Sequence, residues 1–139
     1  MDIIYTPATK ALKLFREKKL SPVELIKAII KRAEEINQKT NAFNFTFFEK
    51  AIDDAKKSEK KFIKNDSNIL PLEGIPLAIK DEEDIKGQPN TNGSLVLKDH
   101  IAEQTMVDVE RLLNSGASLA KSSRSKEYSV INGLMGLSS

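Results

Sequence analysis

The chain has 139 residues and a formal net charge of +2, enough for one domain with a modest core and too little charge to argue for nucleic acid or a membrane surface. It has no cysteine and a single histidine, His100, which excludes disulfides, thiolate catalysis, cysteine metal sites and multi-histidine clusters. Its composition, 40% apolar and 30% charged, is that of an ordinary globular chain, and no apolar run approaches the roughly 20 residues that cross a bilayer.

The N-terminus, MDIIYTPATK, has no basic region leading into an apolar one, so no signal peptide and a cytoplasmic location are expected. Thr6 as cap and Pro7 at the first helical position predict a helix whose apolar face is Ala8, Ala11, Leu12 and Phe15. In SPVELIKAIIKRAEEI, Ser21 and Glu24 form an S-x-x-E capping box with Pro22 just inside the start. Val23, Ile26, Ile29, Ile30 and Ala33 make one apolar face that continues to Ile36. Residues 37–41 break that pattern. Phe43, Phe45 and Phe47 then alternate with polar residues, which is strand periodicity. Interleaved phenylalanines can also stack on bases, but only Asn44 and Thr46 lie between these. Without a basic residue the core-strand reading is preferred.

Residues 49–64 read as a lysine-rich helix with a sparse apolar face of Ile52, Ala55, Phe62 and Ile63; its mixed charges describe a solvated surface rather than a basic patch. After a turn at 65–68, LPLEGIPLAIK predicts a short strand ending at Lys80. The acidic run Asp81, Glu82, Glu83 and Asp84 reads as a solvated loop and not as a metal site. Residues 87–94, GQPNTNGS, form a Gly/Pro/Asn-rich loop. Thr105 and Asp108 are a further capping pair before Met106, Val109, Leu112 and Leu113, with Gly116 just past that helix's end, and ASLAK is a further strand. His100 is a loop histidine with no assigned role. Helices alternating with short apolar strands predict an α/β layered fold in one domain.

Residues 72–94, LEGIPLAIKDEEDIKGQPNTNGS, resemble the opening of the amidase signature family. The match is carried by Leu72, Gly74, Ile75, Pro76, Lys80, Asp81, Lys86, Gly87, Pro89, Gly93 and Ser94. The flanks agree in order: LSPVELIKAIIKRAEEINQKTNAF before it, the T-x-x-D-V-E-R-L-L-N-S-G-A run at 105–117 after it, and SKEYS near Glu127, where the family's usual proline is replaced.

The resemblance implies a mixed-sheet α/β fold, with residues 1–139 as the N-terminal part of a single amidase domain, incomplete in this chain. It also implies hydrolysis of small carboxylic amides through a Ser–cis-Ser–Lys triad, with Lys80 as the lysine and with no cofactor, metal, nucleic acid or membrane partner. A catalytic lysine must shed its proton near neutral pH, which desolvation at the end of an apolar strand favours. The triad's serines belong to a glycine-serine segment expected downstream of NGLMGLSS. Ser138 and Ser139 copy its spelling, but they follow Glu127 too soon and no glycines come after them. The chain alone is therefore expected to be inactive and to self-associate. Two further readings stay open. One is part of the A subunit of a tRNA-dependent amidotransferase, which releases ammonia from glutamine; the other is a stand-alone, non-catalytic binding module.

Overall fold

The structure is a computed structural model and describes residues 3–123. After a single 3-10 turn at Ile3–Tyr5 the order is α1 (Ala8–Arg16), α2 (Pro22–Thr40), β1 (Phe43–Thr46), α3 (Phe48–Lys64), β2 (Pro76–Lys80), α4 (Val107–Asn114) and β3 (Ser118–Ser123). The strands form one sheet in the order β1-β3-β2. β3 pairs antiparallel with β1 and parallel with β2. The parallel pair requires a crossover, which α4 provides, so β2-α4-β3 is a βαβ unit. This is the α/β layered architecture expected from the sequence.

Two layers of helix cover the sheet. Ile79, Leu119 and Val109 form a buried cluster that seats α4 on one face. Ala120 alternates with Leu119 and joins Ile26, Ala51 and Ala55, which places α2 and α3 on the other face. A third cluster of Ala11, Leu12, Phe15, Leu25, Phe62 and Ile75 locks α1 to α2, α3 and the entry of β2. Within it the Phe15 and Phe62 rings lie 5.4 Å apart at 55°. Such tilted aromatic pairs contribute about 0.5–1.5 kcal/mol beyond area burial.

Local chemistry explains where the helices start and stop. The Ser21 hydroxyl accepts from the Val23 N–H at 2.9 Å and the Glu24 carboxylate accepts from the Ser21 N–H at 2.8 Å, so the expected capping box is present. Thr6 does not cap α1. Pro7 itself is the N-cap, with an extended ψ of 144°, and its carbonyl accepts the first helical bond from Ala11. α2 runs on through the expected break to Thr40. Asn37 stays helical because its side chain bonds both backbone groups of Phe43, at 2.8 and 3.3 Å. Asn41, left-handed at φ 51°, ends the helix instead. Thr105 is not a cap either: α4 starts after Met106, and the Thr105 hydroxyl accepts the Lys86 N–H at 3.0 Å.

The entries of β2 and β3 are stitched together by the turn at 70–74. Leu72 N–H donates to Ser115 at 2.8 Å and Gly74 N–H to Gly116 at 3.2 Å. The approach demands a glycine at 116. Its φ is +95°, and a Cβ there would stand 2.9 Å from Leu70 Cβ and 3.0 Å from the Glu73 backbone. Glu73, only 4% exposed, accepts from Ser58 at 2.7 Å and Lys61 at 2.8 Å, tying the same turn to α3. Among the described residues no helix is long and apolar enough to cross a membrane.

Candidate active site

Lys80 is the last residue of β2 and pairs in register with Ser123, the last residue of β3. Both parallel strands therefore end on the same side of the sheet. In open α/β sheets this carboxyl edge is where ligands bind, because the strands there give way to loops that can shape a crevice. Alternation puts Lys80 on the other face of β2 from buried Ile79. Its side chain is 17% exposed, and its amine bonds Glu82 Oε1 at 2.5 Å. The Glu83 N–H closes a turn on the Lys80 carbonyl at 3.0 Å.

The acidic run after Lys80 is not uniformly solvated, which corrects the sequence reading. Glu82 is exposed, but Asp81 is only 2% exposed. Asp81 Oδ2 accepts the Thr91 hydroxyl at 2.8 Å, and Asp84 accepts the side-chain amide of Asn90, itself 4% exposed. These two carboxylates fasten the 87–94 loop against the end of β2. Its other flank is held by backbone: Gly87 N–H to Ala102 at 2.8 Å, Ala102 N–H to Gln88 at 3.0 Å and Asn90 N–H to His100 at 3.1 Å. His100 thus contributes its carbonyl. No sequence period signals Asp81; the nearest signal is the threonine ten residues on, whose hydroxyl a buried carboxylate needs.

The field around the amine is negative. Glu83 is held above its ordinary value of 4.5 by burial first, then by the carboxylates of Asp108 and Glu82, with Lys80 partly offsetting them. Among the described residues, no group of three or more histidine, cysteine, aspartate or glutamate side chains is arranged to hold a metal ion. Two open clefts, of about 420 and 320 Å³, lie at the start of the chain against α2 and at the junction of α1, α2 and α3; Lys80 lines neither. What the described residues bring together is a half-buried amine, a carboxylate partner and a pinned loop at the carboxyl end of a parallel strand pair. Glu127, Ser138 and Ser139 lie outside the described residues.

The amidase family matches residues 24–126, a span that contains all of this site. The A subunit of the glutamyl-tRNA(Gln) amidotransferase of Brachyspira hyodysenteriae is 32% identical over 118 residues, 83% of this chain and 24% of the relative. The A subunit of an amidotransferase of the same name, from Clostridium acetobutylicum, is 28% identical over 122 residues, 87% of this chain and 25% of the relative. Among solved structures, a fatty acid amide hydrolase superposes with a TM-score of 0.79 at 26% identity, over 87% of this chain and 21% of that one. The chain spans about a quarter of the length of the curated relatives it matches. The family's span covers nearly all of α2, then α3 and α4, all three strands and the pinned loop, so this chain belongs to the amidase family, known by its amidase signature.

Proposed function

We propose that residues 1–139 are the N-terminal part of a single amidase domain, and that Lys80 is the base of its Ser–cis-Ser–Lys triad. The completed domain hydrolyses a small carboxylic amide to the acid and ammonia or an amine. The observation that carries this reading is the place of Lys80: a half-buried amine at the carboxyl end of β2, beside the end of β3. In this chemistry the lysine takes a proton from the bridging serine, which takes one from the nucleophilic serine as its oxygen attacks the amide carbon. The leaving nitrogen departs protonated, and water then releases the acid from the acyl-enzyme. The serines would come from the sequence that the relatives carry beyond the matched quarter. In the 139-residue chain the amine is ion-paired with Glu82, and a triad serine would take that place.

A second reading within the same chemistry has specific support. Two relatives of this chain are named as the A subunit of a glutamyl-tRNA(Gln) amidotransferase, so the amide could be that of glutamine, with the ammonia passed on rather than released.

The test joins this chain to the C-terminal three quarters of the Brachyspira hyodysenteriae relative and follows ammonia release from simple amides and from glutamine. Lys80→Ala should lower kcat by about 10²–10⁴-fold, the usual contribution of a general base. Lys86→Ala, on an exposed turn, is the control and should leave kcat near the parent value. Turnover that survives Lys80→Ala would remove Lys80 from the mechanism. Preference for glutamine over simple amides would select the second reading.

A further inference from the structure

The geometry points to Asp81 as the positioning residue of this site: its buried carboxylate clasps Thr91 and so fixes the 87–94 loop across the end of β2, one residue from Lys80. The inference rests on the reading of Lys80 as the base, and it adds what holds that base in place.

A carboxylate only 2% exposed is costly to bury, and an apolar residue would fill the same space at lower cost. A carboxylate buried at the strand end therefore points to a conformational task. The partner chosen is informative. Thr91 Oγ1 donates to Asp81 and also accepts the Gly93 N–H at 3.2 Å, while the Thr91 carbonyl accepts the Ser94 N–H at 2.7 Å. Asn92 and Gly93 are both left-handed, with φ of 48° and 68°. Clasping Thr91 thus sets the whole tight turn at 91–94. The backbone ladder at 100–102 and the Asp84–Asn90 bond hold the earlier part of the loop, and the tip is then placed by the Asp81–Thr91 bond together with the Asn92 N–H, which donates to Asn90 Oδ1 at 3.3 Å. The same residue is bonded through its backbone to Lys80, so the loop and the amine share one rigid anchor. A hydrogen bond to a charged acceptor is strong enough to serve as that anchor.

The experiment uses the full 139-residue chain and needs no turnover. Two quantities are read by mass spectrometry: deuterium exchange at the Ser94 amide, and the pH profile of Lys80 acylation by an N-hydroxysuccinimide ester, with exposed Lys86 as the internal reference. Asp81→Ala and Thr91→Val should each speed Ser94 exchange by about tenfold. The double variant should be no faster than Asp81→Ala alone, because Thr91→Val then has no clasp left to remove. Thr91→Ser, which keeps the hydroxyl, should return exchange to the parent rate. In the Val and Ala variants the Lys80 profile should move relative to that of Lys86, and Thr91→Ser should restore it. If Asp81→Ala fails to fold, as read by circular dichroism, Asp81→Leu, which fills the same space without an acceptor, paired with Thr91→Val completes the same cycle. Additive effects of the two single variants would overturn the clasp. Faster loop exchange with an unmoved Lys80 profile would overturn the positioning role and leave Asp81 a plain loop anchor. Neither result depends on the amidase reading, which stands or falls on ammonia release by the joined enzyme.

Discussion

Glu83 and Asp54 answer to protons in opposite senses. Glu83 has its folded value raised, by burial and by the carboxylates of Asp108 and Glu82, above the ordinary 4.5. As pH rises through 4.5 the unfolded chain loses this proton first, so the folded state holds more protons and stability falls until the folded carboxyl ionises too. For Asp54 burial alone would raise the value, but hydrogen bonds from Lys50 and Lys57 outweigh it and lower the carboxyl below 3.8. Its contribution is present above 3.8 and is lost as pH falls through the folded value. Urea midpoints across the acid range should therefore lose their decline above 4.5 in Glu83→Gln and flatten on the acid side of 3.8 in Asp54→Asn. Curves that superpose on the parent would show that neither carboxyl feels its neighbours. Lys80 is the third residue whose charge matters. Lys80→Arg keeps a cation for Glu82, but a guanidinium does not give up its proton near neutral pH. In the joined enzyme it should fail as fully as Lys80→Ala. Near-normal kcat would make Lys80 a structural cation.

At the scale of elements, the α2 start is the strongest local device. Besides closing the capping box, the Ser21 hydroxyl donates to Glu59 on α3, so one side chain caps one helix and ties it to the next. Ser21→Ala should lower stability by about 1 kcal/mol for the cap, and somewhat more for the lost bond to α3. Ser21→Thr should recover most of it, both read from urea midpoints. A silent Ser21→Ala would mean that packing alone sets the helix start. Devices of this kind were legible because their parts lie three residues apart. So was β2, an apolar run closed by Lys80. What escaped depends on partners distant in sequence. On α3 the buried face is Ala51, Ala55, Ser58 and Phe62, and Ile63, expected inside, is 59% exposed. A serine wins a core position because Glu73 lies opposite, fifteen residues on. The burial of Asp81 escapes the sequence for the same reason: the hydroxyl that satisfies it lies ten residues on, in the 87–94 loop. Leu25, one helical turn before Ile29 and at the edge of the α2 stripe though not among the residues expected inside, is 3% exposed because α1 and the start of β2 close over it.

The molecule as a whole has a covered centre and an uncovered margin. α4 seals one face of the sheet and α2 with α3 the other, but the order β1-β3-β2 makes β1 and β2 edge strands among the described residues. Edge strands present unpaired N–H and C=O groups that favour pairing with another chain. Several large apolar side chains are exposed on the stretch that follows β2: Leu95 at 88%, Val96 at 91% and Val107 at 61%. In the proposed complete domain, later strands and loops would cover both features. Among the described residues nothing covers them, and the 139-residue chain should meet the deficit by contact with a second copy, since burying apolar surface is worth about 25 cal/mol per Å². Sedimentation velocity should show a weight-average mass that climbs with concentration and is little affected by salt. Replacing Leu95 and Val96 together by lysine should shift the distribution toward monomer without changing the circular dichroism spectrum. If association persists in that variant, the strand edges carry it, and a proline at an outward-facing position of β2 becomes the decisive substitution. A compact monomer at every concentration would count against a cut-down domain and for a small module complete in itself, because a quarter of a larger sheet has no reason to be self-sufficient.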